Sequence, residues 1–123
     1  AMSDDIVIEE WRPPKERLTQ LLVALAEYLA DADNPSSSCM PALVSAAQYD
    51  DEVRAFHLRF SRERRAVMIA MVSEGQEAGE IEASLDPDRV VDMLVGPLFY
   101  RRLMTADPFP PDDIPSLVAT VLS

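Results

Sequence analysis

Apolar residues recur along most of this chain at the three-and-four spacing of amphipathic helices. Leu18, Leu21, Leu22, Leu25 and Leu29 form the first stripe, and Pro13 and Pro14 ahead of it supply an N-terminal stop. A helix is therefore predicted from about Pro14 to Ala30. The turn formers of DADNPSSS break the pattern. A short helix is expected next, from about Ser38 to Tyr49, with Leu43, Val44 and Ala47 inward. Asp50 is an N-cap candidate followed by Asp51 and Glu52, which suit the positive end of a helix dipole. The third helix is predicted from there to Ala78, stopping at Gly79. Its stripe of Val53, Phe56, Phe60, Val67, Met68 and Met71 is read as the inward face.

The fourth helix has the clearest start, with Asp86 as cap, Pro87 at the first position and Asp88 next. It is predicted to reach Thr105, where ADPFPPDD stops it. A fifth helix begins near Asp113 and Ile114, and Leu117, Val118, Val121 and Leu122 carry its stripe to the chain end. β-alternation is weak. DDIVIEE could form a short strand but has no obvious partner, so residues 1–13 are read as a vector remnant (Ala1 and Met2) and a linker, with Trp11 as a docking anchor. The expected fold is all-α: one domain of five helices over residues 14–123.

The fourth helix differs in kind from the others. Val90, Val91, Leu94 and Leu98 form one face, extended by Val95 and Phe99 on one side and by Met93, Pro97, Tyr100 and Met104 on the other. Only Arg89 and Asp92 are polar between them. A helix this apolar is expected to be buried on more than one side, either at the centre of the domain or against a second subunit. Within it, GPLFYRR puts Gly96 and Pro97 side by side. Pro97 removes the donor to the Met93 carbonyl, so a kink is expected, and Gly96 would let another backbone come close.

Composition narrows the possibilities. The chain has 123 residues, 48% of them hydrophobic, which suits a single domain with a real core. Its formal charge of -11 argues against direct nucleic-acid binding and against an anionic membrane surface. The apolar runs are too short to cross a bilayer, and the start lacks the basic and apolar regions of a signal peptide. Cys39 is the single cysteine, so neither an internal disulfide nor a cysteine-based zinc site can form. It is read as a small, semi-buried residue. A cytoplasmic protein is expected.

Candidate chemistry is sparse. His57 and Arg64 fall within the third helix's apolar stripe. They either line a cavity and orient a ligand, or are satisfied core-edge groups, a histidine on a carbonyl and an arginine on a buried carboxylate. No nucleophile signature, HExxH, Gly-rich phosphate loop or Cys/His spacing is present. Glu74, Glu77, Glu80 and Glu82 read as a solvated helix end rather than a metal site. Arg59, Arg62, Arg64 and Arg65 cluster without interleaved aromatics. Arg59 and Arg62 point away from the stripe and are expected to pair with Glu52 or Glu63. Met40, Met68, Met71, Met93 and Met104 read as core filling or as an adaptable pocket wall.

The stretch from Glu74 to Leu122 resembles the C-terminal regulatory domain of tetracycline-repressor-like (TetR) transcriptional regulators. The residues that carry the likeness are Ala78-Gly79-Glu80, Asp86-Pro87, Gly96 to Arg101, and Ile114 to Leu122. ERLTQLLVALAEYL and PALVSAAQYDDEVRAFHLRFSRERRAVM resemble the preceding helices. Together the likeness spans about residues 15–122.

The resemblance implies an effector-binding and dimerisation domain, its last two helices joining those of a second copy in an intersubunit four-helix bundle. Its partners would be itself, a small-molecule effector, and DNA only through an N-terminal helix-turn-helix domain, of which no segment is seen ahead of residue 3. The expected dimer surface is Val91, Val95, Leu98, Phe99, Arg102, Leu117, Val118 and Val121. The expected pocket is Leu25, Leu29, Leu43, Phe56, His57, Phe60, Arg64 and Met68. No catalytic residue, metal or cofactor is expected. A freestanding helical interaction module is the second reading, and an enzyme using His57 with a nearby carboxylate the third.

Overall fold

Two prolines set the start of the first helix. A computed structural model of the chain describes residues 8–122, and α1 runs Pro14–Ala30. Pro14 lacks an N–H at a position where a helix has no acceptor for one, and the Pro13 carbonyl accepts the first helical bond from Arg17 N–H at 3.0 Å. The vector-remnant reading of Ala1 and Met2 lies outside the described residues, as does most of DDIVIEE. Trp11 does not dock. It is exposed, with the Arg12 guanidinium 4.5 Å from its ring centroid.

The predicted second helix is two. α2 is a single turn, Pro35–Ser38, capped by the Asn34 side chain, which accepts from Ser36 N–H at 3.0 Å. α3 follows as Met40–Ala46. Asn34-Pro35 is a stronger start signal than Ser38, so helix begins earlier than expected. It breaks at Cys39 because Pro41 has no N–H to give the Ser37 carbonyl four residues back. Arg102 Nη2 donates to that carbonyl instead, at 3.2 Å. Cys39 is exposed at the break, not semi-buried.

α4 is Asp51–Glu77, α5 is Pro87–Met104, and a 3-10 turn at Pro111–Asp113 leads into α6, Ile114–Leu122. Asp50 caps α4 by accepting from Glu52 and Val53 N–H at 2.9 and 3.1 Å, and Asp86 caps α5 by accepting from Asp88 N–H at 3.0 Å. α4 ends as its sequence predicts. Gly79 takes φ +76°, and the Gly75 carbonyl accepts from both Glu80 and Ile81 N–H. α5 runs helical through Pro97.

The centre of the fold is α1. It packs on α4, α5 and α6, and its Leu18, Leu22, Leu25, Ala26 and Leu29 are buried. Val72 and Ile81, Val90, Val91, Leu94 and Leu98 of α5, and Ile114, Val118 and Leu122 of α6 close the core around them. Each leucine so buried contributes about 1.5–3 kcal/mol. Within the chain α5 is thus buried along one side, and is not the central helix.

Ion pairs fix how the helices sit on this core. The start of α1 is tied to the end of α4. Arg17, mostly buried, donates to Glu74 Oε1 at 2.6 Å and to the Arg12 carbonyl at 3.0 Å, and Lys15 N–H donates to Glu80 Oε1 at 3.1 Å. Glu74 and Glu80 are therefore structural partners of α1, at a helix end where Glu74, Glu77 and Glu82 remain exposed as expected. α4 is tied to α5 by Arg65, whose guanidinium lies 2.9 Å from Asp88 and 2.7 Å from Asp92.

Candidate functional site

The two longest helices each turn an apolar face outward. On α4 only Val72 and Gly75 are buried, both near its C-terminal end. Phe56 and Phe60, one turn apart, are 52% and 49% exposed. Val72 lies about 160° round the helix from Phe56, so Phe56, Phe60 and Val67 of the stripe read as inward point away from the core, while Met68 and Met71 pack against it. The two rings are 12° from parallel with centroids 6.3 Å apart, and the Arg64 guanidinium sits 4.9 Å from the Phe60 centroid. Among the described residues no ion pair joins Arg59 or Arg62 to Glu52 or Glu63, the pairing expected of them. Arg54 turns the other way and donates to the Ala47 and Gln48 carbonyls at the end of α3.

The predicted pocket residues accordingly fall into two groups. Leu25 and Leu29 belong to the core, because α1 is the central helix and packs on α4, α5 and α6. Phe56 and Phe60 face outward with Leu43 exposed on α3, while His57, Arg64 and Met68 are half-buried along the side of α4.

On α5 the accessible face is Met93, Gly96, Pro97, Tyr100, Leu103 and Met104. These positions follow helical spacing and give one continuous apolar stripe. An added Cβ at Gly96 would meet nothing within 4 Å, so this stripe has an open notch at its middle. The predicted dimer set sits mostly round the other side. Val91, Leu98 and Val118 are sealed in the chain's own core and offer no surface to a second copy. Val95, Phe99, Leu117 and Val121 are half-buried against that core. Arg102 is engaged with Ser37 within the chain. Met93 and Met104, read as core or pocket residues, are exposed instead.

A groove of about 470 Å³ opens at the other end of the molecule, between the start of α1 and α6, lined by Arg12, Lys15, Glu16, Glu80 and Val118 among others. Glu9, ahead of Glu16, holds Arg12 above the ordinary arginine value by hydrogen bonding. These acids neutralise much of the positive charge in the groove. Among the described residues no group of three or more His, Cys, Asp or Glu side chains gathers in a metal-holding arrangement, and no helix is long and apolar enough to cross a membrane.

With this geometry established, residues 13–121 match the family model described as "Tetracyclin repressor-like, C-terminal domain". The chain belongs to that family. This TetR-like domain is 30% identical over 84 residues to an uncharacterized HTH-type transcriptional regulator, YdeS, of Bacillus subtilis (strain 168), a match covering 68% of this chain and 41% of the relative. Its fold matches the crystal structure of the TetR family transcription regulator SCO0332 with a TM-score of 0.83 at 23% identity, over 98% of this chain and 66% of that one. The chain thus spans about two fifths of the curated regulator and two thirds of the solved one. The all-helical fold and the regulatory-domain family both agree with the reading of the sequence.

Several positions that organise the TetR-like domain carry no strong sequence signal. Arg17 and Arg65 each hold two helices together, and neither stands out in a chain with many charges. The exposed stripe of α5 was visible as residues, but not as a surface.

Proposed function

We propose that this TetR-like domain binds a small effector and forms a homodimer, and so controls DNA binding by an N-terminal helix-turn-helix domain outside this chain. The observation that carries the reading is the pair of outward apolar helix faces in a domain of this family. An exposed, continuous apolar stripe on a protein of high net charge is the usual mark of an interaction surface. The dimer surface is the α5 stripe of Met93, Gly96, Pro97, Tyr100, Leu103 and Met104, with the exposed small residues of α6 beside it. The effector face is the N-terminal half of α4, around Phe56, His57, Phe60 and Arg64.

Effector binding would then shift a population between two dimer geometries. Arg65 is the connection between the two faces, because it follows Arg64 on α4 and grips Asp92 at the edge of the α5 stripe. No catalytic role is assigned to His57, and family membership disfavours a freestanding interaction module. A regulator of this kind works in the cytoplasm.

Light scattering tests the dimer. A mass twice that of the chain is expected at micromolar concentration, and a strict monomer would remove the dimer from this proposal. A thermal-shift screen of small molecules tests the effector. Stabilisation that disappears in Phe56→Ala is the expected result.

A further inference from the structure

The outward stripe of α4 carries a longer pattern than its two rings. Val53, Phe56, Phe60, Glu63, Val67 and Ala70 stand alternately three and four residues apart, the spacing of a coiled-coil seam. From Phe56 onward every one of them is exposed. The run covers about 26 Å of helix. It lies clear of the chain's own packing, because only Val72 and Gly75 of α4 are buried and Arg54 reaches α3 from the opposite side. A seam of this length and spacing fits another helix.

The order of the residues says which helix. About a two-fold axis between Ser61 and Arg62, the seam is its own complement when a copy runs the other way. Phe56 then meets the partner's Val67, Val53 meets the partner's Ala70, and Phe60 meets the partner's Glu63. In the outer layers a larger side chain faces a smaller one, which lets both sides pack. Such a contact is isologous, the same patch serving on both chains.

Charge fixes the direction. In a parallel pair Glu63 would face the partner's Glu63 and Arg59 would face the partner's Arg64, two contacts between like charges. In the antiparallel pair Glu63 stands beside the partner's Arg59, on the same side of the seam and one residue along the axis. Among the described residues neither Arg59 nor Glu63 makes an ion pair within the chain, so both charges are available. A charged residue in an apolar seam costs stability and sets the register. Arg64 keeps its place within the chain over Phe60, at the margin of the seam, and no new contact is asked of it.

We propose that α4 pairs antiparallel with α4 of a second copy along this seam, through a surface separate from the α5 stripe. A single helix face buries less than the roughly 1,200 Å² of a stable interface, so the association is weak and concentration-dependent. Phe56 and Phe60 are shared with the proposed effector face. Effector and second copy therefore exclude each other, and each lowers the affinity of the other. The pairing itself does not rest on the effector reading.

Cysteine pairs test the register. In a Cys39→Ser background, Val53→Cys with Ala70→Cys puts two thiols about 26 Å apart in one chain but opposite each other across the antiparallel seam. Under mild oxidation the double variant is expected to give about tenfold more covalent dimer than either single variant, because the seam raises the effective thiol concentration. Equal linking by Ala70→Cys alone would overturn the antiparallel register. Sedimentation equilibrium tests the association without cysteines. Tyr100→Glu, which disables the α5 surface, should be monomeric at micromolar concentration and dimeric at several hundred micromolar. In that background Arg59→Glu should weaken the dimer about fivefold by setting like charges together, and adding Glu63→Arg should restore it. Arg59 and Glu63 are exposed, so the wild-type unfolding midpoint should be kept. No enrichment in the double cysteine variant, with the Tyr100→Glu chain insensitive to Arg59→Glu, would overturn the pairing and leave the face to the effector. The thermal-shift screen decides the effector reading separately.

Discussion

Leu98 and Tyr100 stand two residues apart on α5 and face opposite ways, Leu98 sealed in the core at 1% exposure and Tyr100 62% exposed. Two residues along a helix is about 200° of rotation, so one side of α5 serves the chain's own core and the other is exposed, where the dimer surface is proposed. Tyr100→Glu should therefore keep the fold, with unfolding free energy within about 0.5 kcal/mol of wild type, and yield monomers by light scattering. Leu98→Ala should cost about 2–5 kcal/mol in urea denaturation. A folded dimer in Tyr100→Glu would move the interface elsewhere.

Gly96→Ala separates the single chain from its assembly. Nothing in the chain lies within 4 Å of the new methyl group, so helix propensity alone should stabilise the monomer by up to about 1 kcal/mol. If a partner helix crosses at this notch, the same methyl group should weaken the dimer. Dilution series by light scattering, beside denaturation of the monomer, should move in opposite directions.

Gly75 is the contrary case. A Cβ there would come within 2.6 Å of Ile81 Cδ1 and 3.0 Å of its Cγ1. The gain in helix propensity should lose to overpacking, and Gly75→Ala should destabilise by about 1–3 kcal/mol. Ile81→Val in the same chain removes the nearest atom and should recover part of that loss.

The Ser37 carbonyl, left without a helical donor by Pro41, depends on Arg102. Arg102→Ala should cost about 0.5–1.5 kcal/mol. In a Pro41→Ala background the helix can supply the donor itself, so the same change should cost less, which a double-mutant cycle would measure. The Ser37 hydroxyl is buried with no hydrogen-bond partner, so Ser37→Ala should be neutral or stabilising by up to about 1 kcal/mol.

The Arg65 clamp should be weak in stability and strong in geometry. Its hydrogen bond to Asp88, ahead of that to Asp92, raises Arg65 above the ordinary arginine value, with partial burial working against them. A raised base stabilises the fold below its unfolded-state value and loses that contribution only as pH rises through the folded one. Arg65 should therefore give no pH dependence between neutrality and about pH 10. Because both carboxylates are well exposed, Arg65→Gln should cost only about 0.2–1 kcal/mol. It should nonetheless uncouple effector binding from dimer affinity, seen as loss of any ligand-induced change in the dimer dissociation constant.

The helices were legible because their signals are local. Asp50, Asp86-Pro87 and Gly79 fix starts and stops through bonds to residues within a turn, and α1, α4, α5 and α6 end within a residue or two of the expected positions. The α2–α3 break was also local, at Asn34-Pro35 and Pro41, but those signals were outweighed by the periodicity after Ser38. The family followed from the order of such segments.

Which face of a helix is inside is not a local property. The sequence determined that α4 and α5 each carry apolar residues on more of their circumference than one core can cover, and that the protein is an all-helical regulatory domain. Only the tertiary structure decided that α1 occupies the centre. With that place filled, Val91, Leu98 and Val118 are drawn into the core, while Phe56, Phe60, Met93 and Tyr100 are left outside. The hydrophobic effect rewards burial of any apolar face equally, so periodicity cannot choose between two candidate faces. The choice comes from geometry: the short connection from Gly79 to Asp86 and the Arg65 bridge orient α5 on α4, and the Arg17–Glu74 pair ties α1 to α4.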